Sequence, residues 1–210
     1  MGILPAMALG ESFIGEGAEA AHINTILGRR DGPVGTAWAT ALATPSQGHT
    51  PFVAVVKPGI PAKPMTLFIN KAPIGNPEHG TLTWGAAQAG VAAGVADAVA
   101  GGHIDAADCD ELLLIAAVWV NPEASDAELV YGNNRVAMMT AIRASLDGIP
   151  RVSDVLAARH QPSNPYYTAK APPGDGAFVV STPSGDGAFV GPTPAEDGLS
   201  LGRSRPDTRS

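Results

Sequence analysis

The chain has 210 residues, 45% of them hydrophobic and only 16% charged, with a net charge of −7 and a pI near 5.1. Thirteen Lys and Arg scattered along an acidic chain do not make the clustered positive field that a nucleic-acid backbone requires, so DNA and RNA are excluded as expected partners. One cysteine, Cys109, allows no intrachain disulfide and fits a reducing compartment; Asp108 and Asp110 beside it would raise its thiol pKa and argue against a nucleophile.

In chain order, residues 1–9 are apolar but short and lack a preceding basic residue, so they do not read as a secretion signal. No later run reaches the roughly 18 to 20 apolar residues needed to cross a bilayer. A soluble, cytoplasmic protein without membrane contact is expected. Residues 10–20, punctuated by Gly10, Gly15 and Gly17, read as a loop that leads into an apolar strand from Ala21 to Gly28. In a strand His22 and Asn24 share a face. Pro33 opens a helix running to about Thr44, with Ala37, Ala41 and Leu42 expected inward.

Phe52 to Val56 reads as a buried strand closed by Pro58. Met65 to Ala72 is a further strand whose polar end sets Lys71 where a ligand could meet it. After a loop at 75–80, an Ala-rich helix is expected from about Leu82 to Ala100, stopped by Gly101-Gly102, with Gln88 one turn in. A short helix over 105–110 precedes a central strand from Leu112 to Val120. Residues 125–147 carry helical spacing at Leu129, Val136, Met139 and Ile142, and a last helix is expected from Val152 to His160.

From Gln161 the composition turns to Pro, Gly, Ser and Thr, with a near-repeat of 174–179 at 185–190. The expected organisation is therefore one α+β domain over 1–160, a mixed sheet with packed helices, followed by a disordered low-complexity tail over 161–210.

Several pieces of the chain together carry a resemblance. Gly10-Glu11, then Gly15-x-Gly17-x-Glu19-x-Ala21-His22-Ile23, is followed by Gly28, Pro33, Gly48-His49-Thr50, Lys63-Pro64, Asn70-Lys71, Gly85-Ala86-Ala87-Gln88, Asp97-Ala98-Val99 and Pro122-Glu123-Ala124. Over roughly residues 8 to 160 this pattern resembles the formaldehyde-activating enzymes, which condense formaldehyde with tetrahydromethanopterin. The resemblance implies a ribosomal-protein-S5 domain 2-like fold and a homopentamer with sites between subunits. It also implies a carbon–oxygen lyase forming methylene-tetrahydromethanopterin and water, in one-carbon metabolism or formaldehyde detoxification.

In those enzymes the histidine at position 22 is the general acid and base. The task suits imidazole, which titrates near neutrality: it can protonate the departing hydroxyl of a carbinolamine and recover a proton when the second nitrogen closes the ring. The resemblance further places Lys71, Gln88 and the apolar Val53 against the pterin, which enters as co-substrate. No metal is expected, because His22, His49, His79, His103 and His160 lack the short ligand spacings of zinc sites.

Two departures stand out. Asn24 replaces an aspartate and Pro73 a threonine, removing an acidic acceptor beside His22 and a hydroxyl. The expected consequences are weaker pterin binding, a lower His22 pKa or an altered pterin preference. A non-catalytic pterin- or adduct-binding sensor, and a lyase acting on another aldehyde or pterin, stay open as alternatives.

Overall fold

The computed structural model describes residues 6–164 and 167–170; most of the expected tail, 161–210, lies outside the described residues. In order, the chain forms β1 (Ala8–Ile14), β2 (Ala21–Arg29), α1 (Pro33–Ala43), β3 (Pro51–Val53), β4 (Val55–Lys57), β5 (Ile60–Pro61), β6 (Met65–Asn70), α2 (Pro77–Thr81), α3 (Gln88–Ala100), β7 (Leu112–Trp119), α4 (Ala127–Asp147), α5 (Val152–Ala158), β8 (Ser163–Asn164) and β9 (Tyr167–Thr168). A π-helical stretch, Leu82–Ala87, joins α2 to α3.

Five strands form one mixed sheet in the order β1-β2-β7-β6-β3. The β6–β7 pair is parallel and the other pairs are antiparallel. The architecture is α+β, as expected.

Alternation sorts the side chains of this sheet onto two faces. On one face lie Ala21, Ile23, Thr25 and Leu27 of β2, Thr66 and Phe68 of β6, and Leu112, Leu114, Ala116 and Val118 of β7, all essentially buried. Helices α3 and α4 cover this face. Each large aliphatic or aromatic side chain withdrawn from water there contributes roughly 1.5–3 kcal/mol.

The helix layer packs closely because glycine removes side chains at its crossings. A Cβ at Gly90 would stand 2.4 Å from the Tyr131 carbonyl oxygen, and one at Gly94 would stand 2.5 Å from that of Arg135. The bidentate Arg135–Asp97 pair bridges the same two helices at 2.6 and 2.8 Å. The small residues of α3 are thus used within the chain, against α4.

Other expectations shift for identifiable reasons. Residues 10–14 are not loop but the edge strand β1, paired with β2 throughout. Gly10 is there because a Cβ would lie 2.2 Å from the Ala141 carbonyl oxygen of α4; only Gly15 and Gly17, at φ 87° and 66°, are turn glycines. The expected strand 52–56 breaks at Ala54 into β3 and β4, and Val56 is exposed, because β3 is the sheet edge. The helix expected from Leu82 begins at Pro77, where the Asn76 side chain accepts from the His79 backbone N–H at 2.7 Å.

Of the residues that carry the helical spacing of α4, Ile142 is buried and Met139 packs against the core, but Leu129 and Val136 do not turn inward. Val130, Asn134, Ala137, Met138, Ala141 and Ile142 are buried, while Leu129 and Val136 are 53% and 46% exposed. Its ends follow the expected physics: the Asp126 side chain caps two backbone N–H groups and Gly148 ends it in the left-handed region. Helix α1 has no charged residue and buries only Val34, leaving Ala37 and Leu42 outward.

Candidate active site

The second face of the sheet carries Glu11 and Phe13 of β1, His22, Asn24 and Ile26 of β2, Val53 of β3, Met65, Leu67 and Ile69 of β6, and Ile115, Ala117 and Trp119 of β7. Register fixes this assignment, because Phe13, His22 and Trp119 are paired in one row and Glu11, Asn24 and Ala117 in the next. Most of these side chains are only half-buried. Helix α1 reaches over one end of the face, where a Cβ at Gly28 would lie 2.7 Å from the Val34 Cγ2.

His22 lies on this open face between Phe13 and Trp119. Its ring and that of Phe13 are tilted by 42° with centroids 5.5 Å apart. Its Nε2 is 3.1 Å from the Glu11 Oε1, with the imidazole 36% and the carboxylate 59% exposed. Lys71 follows directly on β6, its backbone N–H held by the Val118 carbonyl at 2.8 Å. Its ammonium donates to the Asn24 Oδ1 at 2.5 Å. Four polar side chains from β1, β2 and the end of β6 therefore meet on a largely apolar floor.

The electrostatics follow from that floor. Burial holds the His22 pKa below its usual 6.5 and the Lys71 charge lowers it further, while Glu11 opposes both through its charge and its hydrogen bond. Burial pushes the Lys71 ammonium down to about 8, with Glu11 again opposing. The Lys71 ammonium thus titrates well below a free lysine, and the His22 imidazole below a free histidine. Of the cluster, Glu11 also lines a cavity of about 620 Å³, together with Asp154, Val155 and Arg159.

The expected site residues do not all assemble. His22, Asn24, Lys71 and Val53 share the open face, Val53 toward its far edge beside Leu67. Gln88 belongs to the helix layer. It is 7% exposed, and its Oε1 accepts from the Val55 backbone N–H at 2.6 Å. Pro73 is exposed in the turn after β6, against Gly48.

Glu11 is the residue that sequence reasoning quoted without giving it a role. The polar–apolar alternation of Leu9, Glu11 and Phe13 could have put it on the His22 face had residues 10–14 been read as strand.

The remaining histidines lie apart from this cluster. Buried His79 accepts from the Gly75 N–H through Nδ1 and contacts the Val120 carbonyl through Nε2, each at 3.0 Å, which makes it a structural link between the start of α2 and the end of β7. Among the described residues no group of three or more His, Cys, Asp or Glu could hold a metal, and no helix is long and apolar enough to cross a membrane. Burial first, then Asp110, raises the Cys109 thiol pKa, as expected for an inert cysteine.

Comparison with known proteins now bears on this site. Residues 9–167 match the family described as Formaldehyde-activating enzyme (Fae). A protein of Methanosarcina barkeri named 5,6,7,8-tetrahydromethanopterin hydro-lyase is 40% identical over 164 residues, covering 78% of this chain and 92% of that one. Proteins named Bifunctional enzyme Fae/Hps from Methanococcoides burtonii and Methanosphaera stadtmanae are each 39% identical, over 71% and 78% of this chain. The chain spans only 38% and 40% of the length of those two. The match extends from the strand carrying Glu11 past α5, and on it the chain belongs to the formaldehyde-activating enzyme family.

Proposed function

We propose that this protein condenses formaldehyde with tetrahydromethanopterin, giving methylene-tetrahydromethanopterin and water, with His22 as general acid and base. The observation that carries this reading is the meeting of His22, Asn24 and Lys71 on one half-open sheet face, in a chain of this family.

Each residue has a task that its surroundings support. The apolar floor, Val53 included, offers a flat surface to a reduced pterin. Lys71 and Asn24 supply a donor and an acceptor for its polar edge. His22, with its ring held between Glu11 and Lys71, gives a proton to the leaving hydroxyl and takes one back from the second amine as the ring closes. Formaldehyde and amines already combine unaided, so the protein supplies alignment and a placed proton.

The finer structure of this reading is a homopentamer with sites between subunits on a ribosomal-protein-S5 domain 2-like fold. Its supports are the largely uncovered second sheet face and the uncharged, outward helix α1. The single thiol supports a cytoplasmic location.

Mixing the purified protein with formaldehyde and tetrahydromethanopterin, and following adduct absorbance above the spontaneous rate, tests the activity. Binding without acceleration would favour the sensor alternative, and an inert mixture the use of another aldehyde or amine. Native mass spectrometry tests the pentamer.

A further inference from the structure

The five strands of the sheet contain a single acidic residue, Glu11. Asn24 is neutral, so no other strand carboxylate faces the imidazole or the ammonium. The charged groups that face His22 are Glu11 from β1 and Lys71 from the end of β6; β7 contributes the uncharged Trp119. Asp154 and Arg159 line the same cavity as Glu11.

We propose that Glu11 is the positioning residue of His22, fixing which ring nitrogen addresses the substrate and keeping the imidazole able to hold a proton beside Lys71. The inference rests on the reading of His22 as the general acid and base.

The geometry explains how. A carboxylate only accepts, so at 3.1 Å Glu11 takes the Nε2–H and leaves Nδ1 as the nitrogen free to turn to the substrate. In the acid step the Nδ1–H bond breaks and its proton joins the departing hydroxyl as water leaves. When the second amine attacks, its N–H proton returns to Nδ1. Throughout, the Nε2–H stays on Glu11, and the carboxylate stabilises the imidazolium form that the adjacent ammonium disfavours. Phe13, packed against the ring, limits its rotation.

The test uses the full chain with His22 labelled for NMR, as wild type, Glu11→Gln and Glu11→Gln/Asn24→Asp. In wild type the neutral ring is expected as the Nε2–H tautomer; the Nδ1–H tautomer would overturn the proposal without any variant. In Glu11→Gln the His22 pKa should fall, the alkaline limb of the kcat profile should move to lower pH by the same amount, and KM for the pterin should stay nearly constant. At neutral pH kcat should drop about tenfold, less than the roughly 10² to 10⁴ that a general acid itself contributes.

Restoring a carboxylate at position 24 should recover part of the pKa and of kcat. An unmoved His22 pKa in Glu11→Gln, or a raised KM with an unmoved pH profile, would show that Glu11 only contacts substrate or solvent. Should His22→Ala keep full rate, the reading of the activity would fail, while the tautomer and titration would still decide whether Glu11 holds the ring.

Discussion

The two faces of the sheet are built from the same strands, yet they are governed by different physics. The helix-covered face holds Ile23, Leu27, Phe68 and Leu114 with essentially no exposure and tolerates backbone approach so close that several positions accept only glycine. The opposite face keeps most of its side chains partly in water and gathers Glu11, His22, Asn24 and Lys71 there. Stability is concentrated on one side and titratable chemistry on the other. Substitutions should therefore separate cleanly into those that unfold and those that only inactivate.

Gly10→Val is expected to have the largest effect, since its side chain would enter the space of the Ala141 carbonyl. Overpacking of this kind costs about 3 kcal/mol, readable as a lower midpoint in urea. An unchanged midpoint would mean that β1 can move off α4. Next, His22→Ala should lower the enzyme-catalysed rate by about 10² or more with an unchanged thermal midpoint. A loss of stability instead would place the imidazole on the structural side of the comparison.

Lys71→Met should do two opposite things. Pterin affinity should fall, because a placed donor is lost. Stability should rise by about 1 kcal/mol at pH 7, a figure reduced for solvent screening of a half-exposed group. The sign follows from titration: the unfolded ammonium has its ordinary pKa of 10.5 and the folded one about 8. The penalty of burying the charge is therefore fully present below pH 8 and disappears as the pH rises toward 10.5. If the stability difference between wild type and Lys71→Met did not shrink on going from pH 7.5 to 10, the ammonium would not be desolvated in the folded state.

The smallest effect is expected from Asn24→Asp. A carboxylate there should raise the His22 pKa by favouring the imidazolium and tighten the contact with Lys71. Titration of both proteins by NMR checks it, and a wild-type pKa above that of the variant would contradict the electrostatic account.

How much of this was legible beforehand varied with the strength of each side chain's signal. Strands β2 and β7 carry long apolar runs and were recognisable, and with β2 came the shared face of His22 and Asn24. The inward face of α4 was not, because Ala137, Ala141 and Asn134 signal burial weakly while exposed Leu129 and Val136 signal it strongly. Gly10 reads locally as a turn, although its reason lies 131 residues away at Ala141. The site suffered in the same way. Pairing Glu11 with His22 needs the register of β1 on β2, and setting Gln88 apart needs to know which face α3 covers; neither is written in a local pattern.

The interlock of Gly90 and Gly94 with the α4 backbone has a consequence for how ligands are met. Helices seated at that distance can neither slide nor rotate independently, so the plate bearing His22 on its far side is stiff before anything arrives. Freedom to accommodate a visitor is left to long side chains on that face, such as Lys71. The entropy of aligning two reacting partners is thus largely surrendered once, as the chain folds, and not again at each encounter.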